Sequence, residues 1–340
     1  MKPIALFVAF ILVGLGSAAP TSDEKIIVTK DFFIQEFVKY TAQHDIVNIL
    51  VPVNNLNFED VEKDDSDDDS SSNMCLFFIE ADTLEGEKKE YKGLYVFKDE
   101  VATKLLDNGR DFAAPADESK TVYFAATDGL YIYNAEKNKA EKYGTITDSI
   151  ISIAKANGTD FLYILTEDYV LYKVTGDGTK KEKVNNVVGA QQIVVDFANN
   201  LYYYTTDKKV YVYTGETVKQ IEGLPSATYI NILKPPFFMD SGLPVVLDYK
   251  AYVVYENGTS EFSDFEFVAR PTAYSMEATI VQYYAYNKKI YEYNLLTIIL
   301  SELLDEIQKL LEDEKDNIQA LSSKKGSDFR ASFKQQHIKT

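Results

Sequence analysis

Apolar and polar residues alternate through TVYFAATDGLYIYN, residues 121–134, and an Asp-Gly pair, Asp128-Gly129, interrupts the alternation near its centre. A period of two marks a strand with one buried face. Two such runs about Asp-Gly predict a β-hairpin, because both residues tolerate the positive φ of a tight turn. The pattern recurs. Strands like its second half begin at Leu94, Leu130, Val170, Val210, Tyr252 and Ile290, 36 to 42 residues apart. Each follows another apolar run: CLFFIEAD, VYFAATDG, LYILTEDY, YYYTTDKK, VVLDYKAY and QYYAYNKK. A third apolar strand precedes most pairs, such as IISIAKANG from Ile150 or QQIVVDFANN from Gln191. A charged fourth follows most of them: AEKYGTI, KEKVNNV, VKQIEGL or EFSDFEF.

A period near 40 with four short strands per unit predicts a β-propeller. One blade cannot bury both faces of its sheet, so six units stack around a central channel. The innermost strands line that channel and the polar fourth strands lie outermost. The sixth unit has no obvious fourth strand, and the N-terminal segment EKIIVTKDFFIQ, from Glu24, is expected to supply it and close the ring. The expected fold is all-β: a six-bladed β-propeller over residues 24–296, closed by the N-terminal strand and followed by a C-terminal amphipathic α-helix.

Three segments break the pattern. Residues 1–18 carry Lys2, an apolar stretch over 4–16 and the small residues Gly16-Ser17-Ala18, which together read as a secretory signal peptide. The stretch is too short to span a bilayer. Residues 59–72 include DDSDDDSSS, too dense in like charge to pack, and read as a disordered loop within the first blade. A calcium loop there would lack the glycine turn and the downstream glutamate of an EF-hand. Leu296, Leu300, Leu303, Ile307, Leu310 and Leu311 recur at helical steps and predict an amphipathic helix over 295–321, docked on the propeller or pairing two chains as a homodimer. Residues 322–340 read as a flexible tail.

Composition narrows the function. The net charge of −18 repels nucleic acid and anionic membranes at long range, so neither is an expected partner. The 25 tyrosines and 20 phenylalanines suit sheet surfaces. Tyr202-Tyr203-Tyr204 and Tyr283-Tyr284 are read as packing between blades. With a single cysteine, Cys75, no disulfide can form within the chain. Cys75 reads as a buried strand residue, or alternatively as a thiol that couples two chains. Asn157 and Asn257 stand in Asn-Gly-Thr sequons and are candidate glycosylation sites.

The segment DGLYIYNAEKNKAEKYGTITDSIISI resembles the ommochrome-binding proteins of insects, chiefly moths and butterflies. The shared pattern is Asp128-Gly129, the strand from Leu130 to Tyr133, the turn Lys137-Asn138 and the stretch from Ile146 to Ser149 leading into the next blade. The resemblance extends over roughly residues 73–296. It implies a secreted haemolymph protein that transports or stores ommochromes, acidic aromatic pigments derived from tryptophan. It transfers no binding residue. The acidic insertion and the long C-terminal helix depart from the family pattern.

Catalytic material is sparse. The two histidines are His44 and His337, and His44 beside Asp45 reads as a surface position. No cofactor motif is present, and the turn TGDGTK is a hairpin tip rather than a phosphate loop. A calcium-dependent lactonase or esterase would need acids converging on the channel, with Asp111 and Asp148 as candidates. The expected function is therefore non-enzymatic binding of an acidic aromatic small molecule. A protein-interaction module is the alternative. The loops feeding the innermost strands open on one face of the channel, and carry His44 and Asp45, Arg110 and Asp111, Asp148 and Ser149, Gln191 and Gln192, Thr228 and Tyr229, and Arg270. The propeller's two arginines, Arg110 and Arg270, both fall there. Each can grip a carboxylate and stack on a flat ring. Phe112, Tyr229 and Tyr274, near this mouth, are expected to stack on a planar ligand. Asp148 and Gln192 complete the candidate site.

Overall fold

The computed structural model describes residues 25–52, 75–84, 88–115, 121–234, 242–277 and 281–294, with positions 297, 298, 300, 303, 304 and 309. These form six antiparallel sheets of four strands, one of them extended by a fifth. The chain is a six-bladed β-propeller. Its innermost strands are Asp45–Leu50, Gly109–Ala113, Ile150–Lys155, Ala190–Val195, Ile230–Ile232 and Ala273–Glu277, for blades one to six.

Period-two alternation builds the ring, because successive side chains on a strand point to opposite faces. In the second strand of blade one, Phe77 and Ile79 pack toward blade two with Phe112 and Phe124. Leu76 and Phe78 pack toward blade six with Tyr283 and Ile290. In blade four Tyr202 faces blade five and Tyr203 faces blade three. Tyr202, Tyr203 and Tyr283 are thus inter-blade core, as their pattern predicts. Burying each such side chain contributes roughly 1.5–3 kcal/mol.

The Asp-Gly hairpin forms where expected, and of its two expected positive-φ residues one, Gly129, has it. Ala126 pairs with Gly129, so the two-residue turn is Thr127-Asp128. Gly129 alone of the pair has positive φ, +126°. It is glycine because an added Cβ would stand 2.1 Å from the carbonyl oxygen of Ile146 in the following loop.

The N-terminal segment departs from expectation. Ile26–Val28 does not join the last blade. It pairs in parallel with Phe265–Phe267 at the outer edge of blade five. The chain then crosses blade six, where Phe32 stacks on Tyr293 at 4.5 Å and Phe33 on Tyr286 at 4.1 Å. Only then does Val38–Thr41 pair antiparallel with the strand Lys289–Asn294. Val38–Thr41 fits that place because Tyr40 reaches the core between blades six and one while Lys39 meets Glu292 at 3.1 Å.

The chain divides into two compact units, Met1–Tyr293 and Asn294–Thr340. Of the helix expected over 295–321, six scattered positions are described, all with helical backbone, which does not establish a helix of that length. The rest of it, the tail at 322–340, the signal peptide at 1–18 and the acidic loop at 59–72 lie outside the described residues. Cys75 stands half-buried just ahead of the strand Leu76–Thr83 rather than within it. Burial pushes its thiol up to about 11, against a hydrogen bond with Tyr133 that acts the other way. A thiol so shifted stays protonated at neutral pH and is a poor nucleophile.

Candidate functional site

Each of the first four innermost strands carries a bulge immediately before a polar residue, at Asn48, Asp111, Ser152 and Gln192. The bulge turns that side chain toward the neighbouring blade. Asn48 Nδ2 donates to Asp111 Oδ1 at 2.8 Å. Asp111 Oδ2 accepts from Ser152 Oγ and from the Ile153 amide, both at 2.9 Å. Ser152 Oγ accepts the Ile193 amide at 3.3 Å. Gln192 Oε1 accepts the Ile232 amide at 3.0 Å while its Nε2 donates to the Ile232 carbonyl at 2.9 Å. Between blades six and one, Ser275 Oγ accepts the Val51 amide at 3.1 Å. Polar side chains thus lace the inner strands to one another.

Lys234 crosses this ring. It follows the innermost strand of blade five, yet its ammonium donates to Asp111 Oδ1 at 2.6 Å, to the Phe112 carbonyl at 2.6 Å and to the Ile153 carbonyl at 3.1 Å. Blade two, which carries Asp111, lies opposite blade five in a ring of six. The side chain therefore spans the channel axis. Both partners are almost wholly buried, with 11% and 6% of their side-chain surface exposed. Desolvation pushes the lysine below its ordinary pKa, and Asp111 opposes that shift. The small cleft beside it, lined by Leu50, Ala113, Ala154, Val195 and Lys234 among others, has room for about one water molecule among the described residues.

The mouth residues are engaged locally. Arg110 is the bulged residue of its strand. Its Nη1 donates to Ser149 Oγ at 3.1 Å and meets Glu167 Oε2 at 3.4 Å. Ser149 in turn donates to Glu167 at 2.7 Å, and these contacts hold the Glu167 carboxyl below its usual range. Arg270 donates to the Asp248 carbonyl and lies over two rings, Tyr229 at 3.5 Å and Tyr249 at 5.0 Å from the centroids. Tyr229 is placed by Asp248, whose Oδ1 accepts the Thr228 and Tyr229 amides and the Thr228 hydroxyl. Arg110 belongs to the junction of blades two and three and Arg270 to that of blades five and six, on opposite sides of the ring. They do not form one spot.

The other candidates separate further. Phe112 is wholly buried between blades one and two, so its ring offers no face to a ligand in the mouth. Tyr274 is also buried, tilted against Tyr284 at 4.7 Å. Both follow the alternation of their strands into the core. Asp148 pairs with Lys181, His44 with Asp82 at 2.9 Å, and Gln192 is spent joining two blades. Of the expected stacking residues, Tyr229 alone stays at the surface layer, and the structure adds Tyr249, which is 56% exposed. Sequence reasoning missed Tyr249, Asn48, Ser152 and Lys234. A polar residue followed by Ile or Phe recurs in mid-strand, as in Asn48-Ile49, Asp111-Phe112, Ser152-Ile153, Gln192-Ile193 and Asn231-Ile232, and would have marked the ring. Nothing local to Lys234 signals its reach.

The two sequons differ. Asn257 is an exposed turn residue whose Oδ1 accepts both the Thr259 amide and its hydroxyl, at 2.9 and 2.7 Å. Asn157 donates its side-chain amide to the Asp196 and Phe197 carbonyls of the next blade, at 3.3 and 3.2 Å.

Among the described residues no three His, Cys, Asp or Glu side chains cluster so as to hold a metal ion, and no helix is long and apolar enough to cross a membrane. No protein-family model and no curated protein matches the chain. It is similar to solved structures at low identity. One is a protein of unknown function from Bacteroides thetaiotaomicron, 11% identical with a TM-score of 0.49, covering 82% of this chain and 73% of that one. Another is the WD40 repeats of RRP9, 11% identical with a TM-score of 0.47, covering 74% and 76%. A third is PorZ, a bacterial surface component of the type-IX secretion system of Porphyromonas gingivalis, 12% identical with a TM-score of 0.44. That match covers 64% of this chain, which spans about 29% of PorZ. At these identities none of them carries a function across.

Proposed function

We propose that this chain is a secreted, non-enzymatic propeller that serves as an interaction module and recognises its partner through the mouth face. The observation that carries the proposal is Lys234 lying across the axis on Asp111, which leaves the channel to the fold and recognition to a face. The mouth face has material for it. Leu84, Tyr169, Tyr249 and Val268 on loops and Val188 at a strand end, all at least 46% exposed, stand at that end of the blades. Arg270 and Tyr249 are of the residue types that dominate binding energy at interfaces. A photo-reactive residue at position 249 should give one stoichiometric adduct in the fluid that holds the protein, lost on Val268→Asp. The same probe at Phe197, on the opposite face, should give none. Equal labelling from both faces, or no adduct from 249, rejects the reading.

A second reading, an acidic aromatic ligand of ommochrome type, is favoured by the guanidinium of Arg270 over Tyr229 beside the exposed ring of Tyr249. Charge-assisted contacts are worth about 1.5–3 kcal/mol. Arg270→Ala should then weaken pigment binding about ten- to a hundredfold. Arg270→Lys should recover part of it, since lysine keeps the charge but loses the planar fork. Arg110→Ala, held by Glu167 across the ring, should leave it unchanged. Titration of a xanthommatin-like pigment into each folded variant separates these outcomes, and no binding by the wild type removes this second reading.

A further inference from the structure

We propose that Asn257 is the one N-glycosylated residue of the folded protein and that Asn157, in an identical Asn-Gly-Thr sequence, is excluded. The inference rests on the secretory route of the function proposed above, because the modification belongs to that route. The donor is an oligosaccharide linked through pyrophosphate to a lipid. The Asn257 Nδ2 attacks the anomeric carbon of the reducing-end sugar, forming the C–N bond. The bond from that carbon to the pyrophosphate oxygen breaks, the lipid pyrophosphate leaves with the electron pair, and the amide nitrogen gives up one proton to a base of the transferase.

The two turns respond differently to that product. At Asn257 the side-chain oxygen, not the nitrogen, carries the local hydrogen bonds, from the Thr259 amide and hydroxyl. The turn lies at the exposed tip between the strands Lys250–Val254 and Ser260–Phe267, with Gly258 at φ +92°. A sugar on Nδ2 keeps every one of these bonds and points into solvent. At Asn157 the nitrogen itself is used, donating to Asp196 and Phe197 across the blade junction. The backbone on either side of that amide is held as well: the Asn157 N–H donates to Asn199 Oδ1 at 2.7 Å, and Asn199 Nδ2 donates to the Asn157 carbonyl at 3.1 Å. Thr159 turns its hydroxyl to the Ala156 and Phe161 carbonyls rather than to the asparagine. A glycan there removes one of the two side-chain donors and inserts a sugar between blades three and four. Glycosyl transfer acts on the chain before it folds, so chains modified at Asn157 are the ones that fail to assemble.

The full chain with its own leader, produced in eukaryotic cells, tests this by site-resolved mass spectrometry of protein recovered from the medium. The expected result is a single glycan, at Asn257, removed by glycosidase and abolished by Thr259→Ala or Asn257→Gln, with Asn157 bare in every preparation. Protein found in the medium with Asn257 bare overturns this inference and leaves the secretory reading standing. Folded protein recovered from the medium with a glycan at Asn157 also overturns it. Protein retained inside the cell and unmodified overturns the secretory reading and, with it, this one.

Discussion

Asp128 shows how much one residue of the repeated hairpin contributes. Desolvation pushes its carboxyl up, but hydrogen bonds from Lys142, Tyr131 and Asn108, at 2.9, 2.8 and 2.8 Å, outweigh that and hold it down at about 2. A carboxylate with a lowered folded pKa stabilises the fold above its unfolded value and loses that contribution as pH falls through the folded one. The stabilisation is therefore complete above pH 3.8 and lost as pH falls to about 2. Half of the side chain is exposed, so solvent screening limits the contribution to less than about 1 kcal/mol. Thermal melts of wild type and Asp128→Asn should differ at neutral pH and converge near pH 2. A difference that persists at pH 2 assigns the effect to the turn and not to the charge. At this scale the sequence was partly legible. It located the Asp-Gly pair and the positive φ of Gly129, but not the Ile146 carbonyl of another loop, which also excludes a side chain there. It expected both Arg110 and Arg270 in loops at the mouth; Arg270 is in a loop, but Arg110 is the bulged residue of an innermost strand. It gave no warning that Phe112 and Tyr274 point inward, since one residue of register decides the face.

Whole strands were easier to read than residues. The third and fourth strands of the blades match the repeated runs because alternation and polarity report burial directly. The exception is the N-terminus, where two apolar runs compete. IIVT looks like the missing strand, yet VKYT takes the place, because Tyr40 fills the core between the last and first blades and DFF seats on the tyrosines of blade six. Such a choice depends on contacts more than 200 residues away and leaves no local trace. We propose that Val38–Thr41, rather than Ile26–Val28, holds the ring closed. Removing residues through Thr29 should cost little, whereas removal through Thr41 also deletes Phe32, Phe33 and Tyr40. All three are half-buried, so each contributes roughly half of the 1.5–3 kcal/mol of a fully buried side chain; at roughly 2–4 °C per kcal/mol for a domain of 150–250 residues, the longer deletion should lower the melting temperature by at least about 5 °C. Equal shifts for both deletions would refute the assignment.

For the molecule as a whole, the propeller was legible from a period near 40, but what fills its axis was not. Lys234 meets Asp111 across 123 positions of sequence, and no spacing rule links an opposite pair of blades. The proposed recognition through a face of the ring depends on that contact. Breaking a buried pair by removing one member leaves an uncompensated charge and costs about 3–5 kcal/mol, whereas removing both costs less than the sum. The direct test is a double-mutant cycle with Lys234→Met, Asp111→Ala and the double variant, each unfolded in denaturant. The expected result is a loss of about 3–5 kcal/mol for either single change and a coupling energy of at least about 2 kcal/mol. Single losses below about 1 kcal/mol that add within about 0.5 kcal/mol would mean that Lys234 does not tie the axis, and that the channel is open to a ligand after all.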